Sequence, residues 1–210
     1  MISAHHLGAD AELRKLTGGL GTKWLKAGVE HAYTSLDLID YNLTRNGSEP
    51  LSQLVEMANL SSMVGNLIGA GLARNSGGAY IRNAPHTYPD LVPQSGSVHG
   101  VEIKMALEKL MPKGHLPKAG LHLTFRYVMC DERGSFHGTG AKNRGTVPTI
   151  WEVRAGVLSL DDFSISNTAG DSGKTAVVRT SVLQAMKRVL YVPELLPYAR
   201  RESAWGDSQL

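Results

Sequence analysis

The chain has 210 residues, with 22 Lys and Arg against 19 Asp and Glu, a formal net charge of +3, 42% hydrophobic and 20% charged residues. That length suits one domain with a full core, the composition excludes a disordered chain, and the mildly basic balance permits a nucleic-acid partner without requiring one. The single Cys130, set in an apolar run, excludes an internal disulfide and a Cys-rich zinc site and fits a reducing compartment.

The opening residues, MISAHHLGADAELRK, lack the basic-then-apolar order of an export signal, and no apolar run reaches membrane-spanning length. A cytoplasmic protein without a membrane partner is therefore expected. Residues 10–46 place Leu13, Leu16, Trp24, Leu25, Val29, Tyr33, Leu36 and Ile39 at helical spacing, interrupted by Gly18, Gly19 and Gly21, which predicts two helices with a glycine break. Ser48-Glu49-Pro50 opens a longer helix over residues 51–74, with Leu51, Leu54, Val55, Ala58, Met63, Leu67 and Ile68 inward. Gly65, Gly69 and Gly71 predict close packing on a neighbour.

After Asn75-Ser76-Gly77-Gly78 the pattern turns extended, and strands are predicted over residues 87–92, 98–104, 121–130 and 150–158. In the last, Trp151, Val153, Ala155 and Val157 alternate with Glu152 and Arg154, as a sheet with one buried face requires. Residues 131–148 read as a long glycine-rich loop. A final helix is predicted from near Thr180, turning Val182, Leu183, Met186, Val189 and Leu190 inward and ending before Pro193 and Pro197, with a polar tail from Arg200. The expected organisation is a single domain over residues 1–210: a helical part to 75, a core over 76–192 and a tail from 193.

Chemistry concentrates in Tyr88-Pro89-Asp90 and Val101-Glu102-Ile103-Lys104. Side chains alternate along a strand, so Glu102 and Lys104 share one face while Val101, Ile103 and Met105 take the other. Two carboxylates and a lysine brought together can hold a hard divalent cation and orient water. A surface hairpin with a Glu–Lys pair and a turn aspartate is the bland alternative.

These motifs resemble the PD-(D/E)xK nuclease superfamily, and more narrowly the type II restriction endonucleases, over about residues 51–190. The resemblance implies an α/β protein with a restriction-endonuclease-like core: a central mixed sheet of four to five strands flanked by helices, after an N-terminal helical part. It implies that Asp90 and Glu102 bind Mg²⁺, with Mn²⁺ able to substitute, that the Ile103 backbone carbonyl adds a ligand, and that Lys104 positions or activates water. Such a cation neutralises charge developing on the phosphoryl oxygens. Several members carry a further acidic residue on the preceding helix. Glu56 is the candidate in residues 51–74, against the reading of a solvated helix residue. The family's helix between its third and fourth core strands has no evident counterpart, since residues 131–148 read as loop.

That loop supplies Arg133, Lys142, Asn143 and Arg144, residue types that meet phosphates or read base edges, although a solvated connection with incidental charges remains open. Lys109, Lys113, His115 and Lys118 form a second basic group that follows the catalytic strand closely and could bind backbone phosphate, with an ordinary solvated connection as the favoured reading. Gly170-Asp171-Ser172-Gly173 is similar to a protease nucleophile segment and Gly173-Lys174-Thr175 to the end of a P-loop. Neither extends far enough to carry that chemistry, which leaves Lys174 as a DNA-backbone candidate. His5 and His6 are adjacent, not at helical zinc spacing, and the other histidines are assigned no role. Three readings follow: a sequence-specific restriction endonuclease acting on double-stranded DNA as a homodimer, another nuclease on the same core, and a DNA-binding module without chemistry.

Overall fold

The computed structural model describes residues 2–94, 96, 98–166 and 175–197. Lys174, with the rest of the Gly170 to Lys174 motif, and the tail beyond residue 197 lie outside the described residues. The N-terminal part is helical: α1 (Asp10–Thr17), α2 (Thr22–Arg45), α3 (Leu51–Leu54) and α4 (Met57–Asn75). The glycine break is physical, because Gly18 takes the left-handed conformation that ends α1 at φ 73°. Asp10 then holds the start of α2, accepting the Thr22 N–H at 2.6 Å.

The helix predicted over residues 51–74 is two helices. Val55 is extended at φ −125°, and Glu56, also extended, stands at the N-cap position of α4 without a side-chain cap. Asp40 on α2 accepts the Leu51 N–H at 2.7 Å, so α3 is anchored to α2, and β-branched Val55 makes the turn between it and α4. Glycine sets the packing of α4. A Cβ on Gly71 would lie 2.9 Å from Gly28 Cα on α2, and Cβ atoms on Gly65 and Gly69 would lie 3.0 Å and 3.2 Å from Met105 and Ile103.

The strands are β1 (Tyr80–Arg82), β2 (Leu91–Pro93), β3 (Val101–Leu107), β4 (Lys113–Gly114), β5 (Gly120–Cys130), β6 (Val147–Leu158), β7 (Phe163–Ser166) and β8 (Thr175–Val178), then helix α5 (Thr180–Ala185) and strand β9 (Lys187–Tyr191). The protein is α/β with a mixed central sheet of six strands in the order β1-β2-β3-β5-β6-β9, not four to five. Only β3 and β5 run parallel; the other neighbours are antiparallel. The extra strands are the short β1 and β9. A three-stranded sheet, β4-β8-β7, lies apart.

Several strand boundaries moved: β3 runs on to Leu107, and β6 starts at Val147, so the loop predicted over residues 131–148 gives its last two residues to that strand. Residues 87–90 are turn, with a cis Tyr88–Pro89 peptide, and β2 begins only at Leu91. Strand β3 starts at Val101, not 98. The predicted C-terminal helix stops at Ala185, and Val189 and Leu190 belong to β9. The run Val189-Leu190-Tyr191-Val192 is buried throughout, and a continuous apolar run carries no period that separates a helix from a covered strand. Pairing with β6 decides it, with Leu190 opposite Val153.

The sheet is covered on both faces. Ile103 and Met105 face α4. The opposite face meets the small sheet and α5: the His122 ring lies 5.8 Å from Phe163, and Gly156 abuts Met186. The expected pattern in β6 therefore fails at three positions. Glu152 and Arg154 are buried, and Val157 is 65% exposed. Glu152 is buried because three arginines surround it. Arg126 binds Oε2, with its Nε at 2.7 Å, while Arg188 Nε and Arg154 Nε lie 2.9 Å and 3.0 Å from Oε1. Among the described residues no helix is long and apolar enough to cross a membrane.

Candidate active site

Strands β2 and β3 meet at one pair, Leu91 opposite Val101. That short antiparallel contact sets Asp90, the residue before β2, against the edge of β3, where its Oδ2 accepts the Ile103 N–H at 2.6 Å. A residue in a strand projects its N–H and C=O toward the same edge. Ile103 thus presents its carbonyl on the side where Asp90 sits.

Glu102 and Lys104 share the opposite face of β3 from Ile103, as the strand period predicts, and they touch: Lys104 Nζ donates to Glu102 Oε1 at 2.5 Å. A second lysine joins them. Lys118, from the connection between β3 and β5, donates to the same oxygen at 2.8 Å. Glu102 is 1% exposed, and its other oxygen, Oε2, is buried without a hydrogen-bond partner.

Burial pushes the Asp90 carboxyl above its ordinary range; the Ile103 N–H opposes this and the Glu102 charge adds to it. Burial also pushes Glu102 up, but the two ammonium groups outweigh it and hold Glu102 below its ordinary value. One carboxylate is firmly ionised beside a second that is reluctant to ionise. An added positive charge would relieve that tension.

Sequence reasoning missed three neighbours of this site. Lys118 was read as part of a solvated connection, although Pro117-Lys118-Ala119-Gly120 leads directly into β5. Tyr88, next to Pro89-Asp90, donates its hydroxyl to the Ala119 carbonyl, and its ring lies 5.1 Å from Lys118 Nζ. His122 sits opposite Glu102 in the β3–β5 register. Its pKa is lowered, first by burial, with Lys104 and Lys118 acting the same way. No spacing rule in a single sequence aligns residue 122 with residue 102, because the pairing crosses the connection between two parallel strands.

Glu56 is not brought to the pair. It is exposed at the start of α4, nine residues before Gly65, or about 13 Å along the helix axis. Asp90 lines a cleft of about 700 Å³ between α4 and β4, whose helix side includes Met57, Ser62 and Asn66. Arg82, Lys104, Lys113 and His115 also line it, which gives part of the second basic group a place near Asp90.

The glycine-rich loop is tied down. Asp131 Oδ1 accepts the N–H groups of Arg133 and Ser135, and its Oδ2 contacts His137 Nε2 at 2.7 Å. Glu108, just past the end of β3, accepts the Gly140 N–H at 3.1 Å and Arg144 Nε at 2.9 Å. Arg133, Lys142 and Asn143 are exposed. The loop meets β3 at its far end, six residues from Glu102 or about 20 Å along an extended strand.

The connection from β3 to β5, where a crossover helix is usual for parallel neighbours, holds only the short β4. His5, His6 and Glu194 form the one described group of three with metal-ligating atoms close together. His6 Nδ1 accepts the Ser3 N–H, so the Nε2 facing Glu194 carries the proton and is not a ready ligand. Comparison with family models, curated proteins and solved structures gives no match to this chain.

Proposed function

We propose that the protein is a Mg²⁺-dependent endonuclease of the PD-(D/E)xK type that hydrolyses phosphodiester bonds of double-stranded DNA in the cytoplasm, in the manner of a type II restriction enzyme cutting at a short specific site. The observation that carries this reading is the hairpin joining Asp90 and Ile103 beside Glu102 and Lys104, with Glu102 Oε2 buried and lacking a partner. The order helix, β1, β2, β3 and a parallel β5 is the arrangement that a restriction-endonuclease-like core would need around those residues.

The donors suit the cation. Carboxylate and carbonyl oxygens favour Mg²⁺ or Mn²⁺ over softer metals, and an orphaned buried oxygen is the atom such an ion would satisfy. Asp90, Glu102 and the Ile103 carbonyl would hold it, and its charge would stabilise the phosphoryl oxygens as the ester breaks. Lys104 is held in place, since a Cβ on Gly114 would lie 3.1 Å from its Nζ. From there it orients a water that gives up a proton to solvent as its oxygen bonds to phosphorus, while one P–O ester bond breaks and the departing oxygen takes up a proton. Exposed Arg133, Lys142 and Asn143, with Arg144, would meet the duplex farther along, and two-fold DNA sites call for a homodimer.

Purified protein with plasmid or phage DNA and Mg²⁺ tests the reading. Discrete fragments are expected. A smear or nicking would indicate a less specific nuclease on the same core, and a retarded band without cutting would indicate a DNA-binding module.

A further inference from the structure

Two ammonium groups on a single carboxylate oxygen are more than neutralisation requires, and the two lysines are held differently. Lys104 lies within β3, 11% exposed and closed in by Gly114. Lys118 stands on an irregular connection, 31% exposed, and its only other described contact is the face of the Tyr88 ring. Tyr88 is held at its hydroxyl end by Gly120, where a Cβ would lie 2.2 Å from the hydroxyl, and the Pro89 that follows it lies against Gly100. The ring, 42% exposed, is thus anchored at its hydroxyl end, and Lys118 lies across it toward Glu102. Such a face holds an ammonium only weakly at an exposed site.

We propose that Lys118 is an exchangeable counter-ion of Glu102: it competes with a divalent cation for the charge of that carboxylate and, once released, pairs with a phosphate of the bound nucleic acid. This rests on the nuclease reading. A divalent cation on Oε2 and two ammonium groups on Oε1 of the same carboxylate repel one another strongly at close range, and the more exposed, less confined lysine is the one that yields. Its freed charge then lies beside Asp90, at the mouth of the site, where a polyanion must approach. Lys104 stays in place to position water, and Lys118 supplies phosphate affinity, a division of labour between two residues bound to the same atom.

The test compares metal-stripped full-length wild type with Lys118→Met, and with Lys118→Gln as a second neutral variant that keeps a polar group at this half-exposed position. Free Mn²⁺ is followed by electron paramagnetic resonance. Both variants are expected to bind Mn²⁺ roughly threefold to tenfold more tightly, because a competing charge is gone. With Ca²⁺ present they are expected to bind duplex DNA more weakly on every sequence, with the slope of log affinity against log salt shallower by about 0.9, the value of one lost phosphate contact. Lys118→Arg should restore the DNA slope. Unchanged or weaker Mn²⁺ binding in the neutral variants, with normal uptake by wild type, overturns the role of Lys118 alone. Wild type that takes up no Mn²⁺ overturns the nuclease reading and this proposal together.

Discussion

Glu102 and His122 lie opposite each other on parallel strands β3 and β5, and each leaves one buried polar atom without a partner, Oε2 and Nε2. His122 Nδ1 faces the Gly120 carbonyl at 3.0 Å, and a carbonyl only accepts, so Nδ1 carries the proton and Nε2 is a lone-pair acceptor. Both orphaned atoms therefore want a donor or a cation, and neither contributes to the stability of the protein alone.

A stability measurement follows from this. An unsatisfied buried acceptor costs about 1 to 3 kcal/mol, so His122→Leu in EDTA is expected to leave Tm unchanged or raised. A clear fall in Tm would show that Nε2 is satisfied in solution.

Asp90→Asn separates function from folding. The amide oxygen can still accept the Ile103 N–H, so the hairpin persists, while cleavage is expected to be abolished and duplex binding in Ca²⁺ retained. Glu102→Ala should also abolish cleavage. Because burial raises the Asp90 pKa, its ionisation is harder in the folded state than in the unfolded one. Stability is therefore lost as pH rises through the window from the ordinary carboxylate value to the raised one. Metal-free Asp90→Asn should melt above wild type at neutral pH, and the gain should vanish in acid below that window. Full cutting by either variant at saturating Mg²⁺ would reject the site.

The local half of this site was legible in the sequence and the non-local half was not. Glu102 and Lys104 share a face because the strand period is two, and the Pro89-Asp90 pair follows a turn signal ahead of a short apolar strand. Lys118, Tyr88 and His122 join only through the β3–β5 pairing, which depends on strand order. The helix over residues 51–74 was recognised by its apolar spacing, but its break at Val55 depends on the tertiary anchor from Asp40 to Leu51. Likewise Glu152 in β6 reads as outward until Arg126 and Arg188, on two other strands, enclose it.

That enclosure carries its own prediction. Arg126, Arg154 and Arg188 are each under 10% exposed around Glu152, and Arg154 Nη1 also donates to the carbonyls of Leu183, Gln184 and Met186, at the end of α5. Removing one member of a buried ionic group costs about 3 to 5 kcal/mol because the remaining charges stay buried. Glu152→Ala is expected to lower stability by that order in denaturant titrations. A loss under about 1 kcal/mol would show that the arginines reach water once the glutamate is gone.

The loop over residues 131–148 allows a decision between reading bases and holding structure, because Arg144 is already engaged with Glu108. If Arg144 or Asn143 reaches a base edge, replacement by Ala should cost roughly 1 to 3 kcal/mol on the cognate duplex and leave random duplexes nearly unchanged. If these residues meet phosphate only, the loss should be uniform and the salt dependence shallower. Glu108→Gln supplies the control that Arg144→Ala lacks: the amide oxygen can still accept from Gly140 N–H, but the charge that holds the guanidinium is removed. A base-reading Arg144 is then freed, and cognate affinity should hold or rise. An Arg144 that serves only to anchor the loop should instead give a lower Tm in both Glu108→Gln and Arg144→Ala, with no change in affinity on either duplex at two salt concentrations, and that outcome would remove the loop from the DNA interface.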